Sequence, residues 1–218
     1  FNHTIKTLVQ SATQQWYKPL VSLSSQSLRE LLAPTLEHYK LSATDLSAFL
    51  DVSRGGPQMF LLQNMLRFPR GSSPASSYGT AFHATLQRAH AHLSATGKHR
   101  APEDILHDFE QNLIAEHLSD DDFKLYLQKG SDSLQAFLGK KYVDFTTDQK
   151  AEVRFNGEHA IVGEAHLSGA IDLLTIDKDT KTIIVTDYKT GHATRDWKGK
   201  TEYDHIKLHK YRQQLMFY

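Results

Sequence analysis

The order of apolar and polar residues divides the chain into a long helical part and a shorter part built on strands. Ile5, Leu8, Val9, Ala12 and Trp16 recur at helical spacing, as do Leu28, Leu31, Leu32, Leu36 and Tyr39. Residues 1–40 are therefore predicted to form two helices, the second bent at Pro34, and together they read as an N-terminal helical appendage. Ser42-Ala-Thr-Asp45 has the S-x-x-D form that opens a helix. That helix is expected to reach about Leu50, and another follows the Gly55-Gly56-Pro57 turn to about Leu66. Residues 70–77, rich in Ser, Gly and Pro, predict an exposed loop. From Thr80 a helix is expected, with Phe82, Leu86, Ala89 and Leu93 as its apolar stripe. Helices continue to about Leu138, with a break near Gly130.

The period then changes. Residues 152–155, 166–177 and 182–190 are rich in β-branched and apolar side chains and predict strands, with 178–181 as the turn of a hairpin. A helix resumes near Asp204 and runs to the end. Helices, a small sheet and a closing helix make an α/β (α+β) fold: a small mixed sheet flanked by helices, with a large helical lobe.

The hairpin carries the candidate chemistry. A regular turn centred between Asp179 and Thr180 sets Asp172 directly opposite Asp187, with Cβ atoms about 4.5–5.5 Å apart. Lys189 leaves the same face as Asp187, two residues on. Ala170, Ile171, Leu173, Leu174, Ile183, Ile184 and Val185 surround the pair and predict burial, which would sharpen the repulsion between the carboxylates. A shared proton or a divalent cation would relieve it, and oxygen ligands suit Mg²⁺ or Mn²⁺. Lys189 beside such a pair could hold an attacking water or stabilise charge on a phosphoryl oxygen. On spacing alone, a solvated sheet edge with Lys189 merely paired to one aspartate is an equal reading, and a one-residue slip would separate the carboxylates.

Composition narrows the classes. Apolar residues make up 39% and charged residues 23% of 218, an ordinary globular balance. No apolar run approaches a membrane span and no signal peptide is visible, so no membrane partner is expected and a cytoplasmic location fits. With no cysteine, disulfides, thiolate zinc and Cys-held iron–sulfur clusters are excluded. Formal net charge is zero, which argues against indiscriminate nucleic-acid binding. The distribution is uneven, however. Residues 103–122 hold eight acidic side chains and no Lys or Arg, whereas residues 189–212 hold seven basic against three acidic. Arg195, Lys198 and Lys200 flank Trp197 after the last strand. Basic residues interleaved with an aromatic suit a single strand of DNA, and an ordinary mobile loop is the equal alternative.

Gly169-Ala-Ile-Asp172 followed by Asp187-Tyr-Lys-Thr-Gly191 resembles the G-x-x-D and D-Y-K-T-G motifs of the PD-(D/E)XK nuclease superfamily, closest to the RecB and AddB type domains attached to UvrD-like helicases. Gly79-Thr-Ala-Phe-His83 resembles that family's G-x-x-x-H motif, and Tyr211 to Tyr218 resembles its Y-x-x-Q-L-x-x-Y helix. Glu152 stands where the family often has a glutamate near the site. The segment from Leu41 through Phe60 to Pro69 is similar to the region that opens these domains. The resemblance covers about 41–218 and implies a restriction-endonuclease-like core. It implies His83, Asp172, Asp187 and the Tyr188 carbonyl as metal ligands, and Lys189 as the catalytic lysine. Gln214 and Tyr211 would orient that lysine or touch the DNA backbone. Many relatives hold an iron–sulfur cluster through cysteines. Here Gly55-Gly56-Pro57 occupies the early position, so packing is expected to replace the cluster.

The implied activity is Mg²⁺- or Mn²⁺-dependent, exonuclease-type hydrolysis of DNA, as a single strand or at a duplex end, in repair or recombination. The chain opens on Phe1 and stops at Tyr218 within an expected helix. It is expected to be a piece of a longer chain whose helicase domains bind ATP; no P-loop occurs here. The alternatives are a catalytically inactive nuclease-like domain that binds DNA or braces a helicase, and a stand-alone CRISPR- or phage-type nuclease. Of the 13 histidines, His83 alone carries a ligand expectation. His90, His92, His107 and His117 read as structural.

Overall fold

The computed structural model describes residues 25–69, 71–192, 194 and 196–218. The expected helix over Ile5 to Trp16 and the candidate DNA-contact residue Arg195 lie outside the described residues. The chain divides into two compact units, Phe1–Tyr39 and Lys40–Tyr218. Within the first, α1 (Ser25–Glu37) contains Pro34.

The second unit opens with a short strand, β1 (Lys40–Leu41), and α2 (Ala43–Leu50). The expected helix start is present in full: Ser42 Oγ accepts the Asp45 N–H, and the Asp45 carboxylate accepts the Ser42 N–H. After the Gly55 turn, α3 (Gly56–Phe60) widens into a π-helical turn over Leu61–Met65.

The helical lobe follows: α4 (Pro74–Thr96), α5 (Pro102–Ile114) and α6 (Asp120–Lys141). The core lies here. Tyr78, Phe82, Leu86, Ala89 and Leu93 of α4 pack with Ile105, Phe109 and Leu113 of α5 and Leu134 and Leu138 of α6. Two expectations are corrected in this lobe. The stretch 70–77 is not loop throughout, because Ser73 caps a helix whose first residue is Pro74; its hydroxyl accepts the Ser76 N–H. Gly79 thus sits inside α4, not in a turn before it. Nor does Gly130 break α6. A Cβ there would lie 2.1 Å from Phe109 Cζ, so the glycine admits a fully buried ring against the helix.

The sheet forms from β1, β2 (Lys150–Val162), β3 (Ala165–Asp177) and β4 (Thr182–Thr186). Among the described residues β3 is central: β2 runs antiparallel along one side, while β1 (parallel) and β4 (antiparallel) share the other. Leu173↔Thr186 and Asp177↔Thr182 are paired, which is the register the turn predicts. The sheet is less buried than expected, however. Ile183 and Ile184 lie on exposed β4, because this strand pairs on one side alone. The last helix, α7 (Glu202–Phe217), starts from a Thr201–Asp204 capping box. The Lys210 ammonium, 2.5 Å from Asp51, ties it to the end of α2.

Candidate active site

The site gathers at the end of the β3–β4 hairpin, between α4 and α7. β4 ends at Thr186, short of the strand expected over 182–190, and residues 187–190 continue without regular structure. Asp187 and Lys189 point to one side, where Lys189 Nζ lies 2.6 Å from Asp187 Oδ2. Tyr188 points to the other and anchors the strand on the helical lobe. Its ring meets Phe137 edge-on at 5.9 Å, and its hydroxyl lies 3.1 Å from His90 Nε2. Its backbone N–H donates to Asp172 Oδ2 at 2.7 Å, closing the hairpin over the pair of aspartates. The two carboxylates are 14% and 11% exposed (Asp172 and Asp187), so they are half-buried beside a largely exposed β4.

From α4, His83 Nδ1 reaches to 3.2 Å from Asp172 Oδ1. From α7, Gln214 bridges the other half. Its carbonyl oxygen accepts from Lys189 Nζ at 2.8 Å, and its amide donates to Asp187 Oδ1 at 2.8 Å and to the Tyr218 hydroxyl at 2.7 Å. The Tyr211 ring lies 5.2 Å from the Lys189 ammonium, a cation–π distance. The glycine at the start of the G-x-x-D motif helps to set this up. A Cβ on Gly169 would sit 2.6 Å from Phe155 Cζ, so the glycine lets the Phe155 ring lie over β3. That ring packs in turn against Phe217 and Tyr218, which seats the end of α7.

The electrostatics follow from burial and pairing. Burial pushes the Asp187 carboxyl up, with Lys189 opposing and Asp172 reinforcing the shift. Burial acts on Asp172 too, but hydrogen bonding to His83 and to the Tyr188 N–H prevails and holds it below the usual range. The contact with Asp172 raises His83. The two carboxyl groups thus shift in opposite directions.

Glu152 belongs to the same row. The pairs on either side of it, Ala151↔Leu173 and Val153↔Ile171, set it opposite Asp172 across the β2–β3 ladder. Glu152 and Asp172 are therefore neighbours across the β2–β3 ladder, with Asp187 just past the end of β4. Glu152 itself adopts left-handed backbone (φ 52), a conformation costing about 1–2 kcal/mol for a residue with a Cβ and found preferentially at functional sites. Its carboxylate is 3.2 Å from Arg154 Nη2. These two side chains, His83, Asp172, Gly79 and Thr190 line an open cavity of about 600 Å³.

The family model for the PD-(D/E)XK nuclease superfamily matches residues 40–218. The chain belongs to this superfamily. No curated protein and no solved structure matches the chain. PD-(D/E)XK proteins are generally nucleases and typically use divalent metals. Yet among the described residues no group of three or more His, Asp or Glu side chains stands ready to hold an ion. Asp172 is engaged by His83 and the Tyr188 N–H, and Asp187 by Lys189 and Gln214. The donor chemistry nonetheless fits a hard divalent cation, being carboxylate oxygen and imidazole nitrogen without thiolate.

Sequence reasoning about this PD-(D/E)XK chain missed several residues. Arg154 and Thr190 line the cavity, and Tyr218 bonds Gln214. Arg154 carried a signal, since it lies two residues from Glu152 and so shares its strand face. His90 is structural as expected. It is buried and stacked on Phe145 at 3.8 Å, and burial lowers its pKa to about 4. Lys198 and Lys200 lie exposed in the loop before α7, away from these hydrogen bonds. On α7, Tyr211 and Tyr218 are partly buried beside the site, while Leu215 is exposed.

Proposed function

We propose that the chain is a divalent-metal-dependent DNA nuclease. One observation carries the reading: an unbroken hydrogen-bonded chain runs from Tyr218 through Gln214 to both Lys189 and Asp187, beside the Asp172–His83 pair. A purely structural ion pair would not need a glutamine holding the lysine and the carboxylate in register. His83, Asp172, Asp187 and the Tyr188 carbonyl would hold Mg²⁺ or Mn²⁺. When bound, such an ion lowers the pKa of water and polarises a phosphate oxygen. Lys189 then holds a proton or a phosphoryl oxygen at Nζ, where Gln214 Oε1 fixes its direction. Tyr211 screens that ammonium from one side. Glu152 would complete the acidic row, and Lys198 and Lys200 would meet phosphates of the strand.

The resemblance to RecB and AddB type domains supports a finer reading: exonuclease-type cutting by a domain joined to a UvrD-like, ATP-binding helicase in DNA repair or recombination. The test is cleavage of end-labelled DNA with Mg²⁺, Mn²⁺ or EDTA. Cutting that needs the metal and disappears in Asp187→Ala is expected. Cutting in EDTA, or full activity in that variant, would refute the assignment.

A further inference from the structure

The loop before α7 presents a half-open indole. Trp197 keeps 49% of its surface exposed, yet the backbone around it is held firmly. The Asp196 carboxylate accepts the N–H groups of Lys198 (2.8 Å) and Gly199 (3.2 Å). The Asp204 carboxylate accepts those of Lys200 (3.2 Å) and Thr201 (3.1 Å). From α7, Arg212 donates to the Trp197 carbonyl at 2.8 Å and holds its guanidinium 5.5 Å from the ring centroid. A slack surface loop would not need five such bonds. The tryptophan is displayed on a fixed frame, not packed away.

Its surroundings are concave, with exposed lysines on the loop beside a largely apolar groove. Lys198 and Lys200 are exposed on the same loop. A groove of about 720 Å³ runs from Trp197 along α7 past His209 and Lys210 to Leu50 and Val52, within the size range of ligand sites. The same helix carries Tyr211 and Gln214 to Lys189, and Lys207 lies 5.6 Å from the Tyr211 ring. Lys189 and Lys207 thus flank the Tyr211 ring, and Arg212 faces the Trp197 indole from the same helix. Charge alone would attract any nucleic acid. An indole fixed at the wall of a groove selects, because a base offers its face only when its own neighbours have released it.

We propose that Trp197, backed by Arg212, is a stacking platform for an unpaired base, so that the strand delivered to Lys189 is single-stranded DNA. The inference rests on the nuclease reading for its site but is tested apart from it. The chain has two tryptophans, so Trp16→Phe leaves Trp197 as the sole reporter. Emission is followed in EDTA, where nothing is cut, on adding oligothymidylate or a blunt duplex of equal length. Saturable quenching by the single strand and none by the duplex is expected. Trp197→Ala should weaken single-strand binding roughly five- to 150-fold, whereas Trp197→Phe, which keeps a ring, should retain most of the affinity. Equal quenching by the duplex would overturn the proposal. So would unchanged single-strand affinity in Trp197→Ala, or a loss in Trp197→Phe as large as in Trp197→Ala. A chain that stacks bases as described but never cleaves them would refute the nuclease reading and leave the platform standing.

Discussion

Two glycines in α6 should respond to alanine with opposite signs. Gly139 is exposed and a Cβ there meets nothing within 4 Å. Gly139→Ala therefore expresses helix propensity alone, a gain of about 1 kcal/mol. Gly130 is buried, and its added Cβ would lie 2.1 Å from Phe109 Cζ and 2.3 Å from Cε1. Carbon atoms rest at about 3.5–4 Å, so the ring must retreat by roughly 1.5 Å. It has no room: Phe109 is fully buried and meets Tyr78 and Phe82 edge-on, each at 6.1 Å. Overpacking of this kind costs about 1–3 kcal/mol and should outweigh the propensity gain. Thermal unfolding followed by circular dichroism reads both variants. Gly139→Ala should shift Tm up by about 2–4 °C per kcal/mol, and Gly130→Ala should shift it down. Phe109→Leu should relieve the Gly130→Ala defect, so the double variant is more stable than the two losses added. Equal stabilisation by both alanines would refute the packing described for the lobe. The consequence reaches the site, since Phe82 in that cluster adjoins His83.

Three further outcomes follow from the geometry. His90 is neutral when buried, with a pKa lowered to about 4 from 6.5. The unfolded chain therefore takes up a proton first, and stability falls as pH drops from 6.5 towards 4. Between about pH 7 and pH 5 the loss should be about 2 kcal/mol, measured as the difference in urea stability between the parent and His90→Gln; parallel pH curves would contradict it. Lys189→Ala should lower single-turnover cleavage about 10²- to 10⁴-fold, and Gln214→Ala, which only frees the lysine, up to about 10²-fold; a change within about twofold for Lys189→Ala would exclude it from the chemistry. Because Asp172 raises the pKa of His83 above 6.5, metal must displace a proton there. Mn²⁺ affinity by calorimetry should strengthen as pH rises from 6 to 8, with proton release; a flat profile would remove His83 from the ligand set.

The hairpin was legible because a four-residue turn leaves one register consistent with its flanking strands, and Asp172, Asp187 and Lys189 follow from it. The Ser42 helix start was legible for the same reason: its bonds are local. What failed depended on contacts distant in sequence. Gly130 has the composition of a break, and only Phe109, from another helix, makes it a packing site. Residues 70–77 have the composition of a loop, yet Ser73 and Pro74 equally open a helix. Ile183 and Ile184 are as apolar as core strands, but among the described residues they stay exposed on β4. The Gln214 bridge to Lys189 and Asp187 was expected from family likeness alone. The pattern on α7 does not reveal it, since Leu215 and Met216 beside it are exposed.

To hold one ion, donors now paired with each other must open around it. Crystals of the protein soaked in Mn²⁺ and measured at a wavelength where manganese scatters anomalously decide this. A peak is expected within about 2.3 Å of His83, Asp172, Asp187 and the Tyr188 carbonyl, with Lys189 still held by Gln214. A protein that leaves His83 on Asp172 and Lys189 on Asp187 at saturating Mn²⁺, with no peak between them, would contradict it.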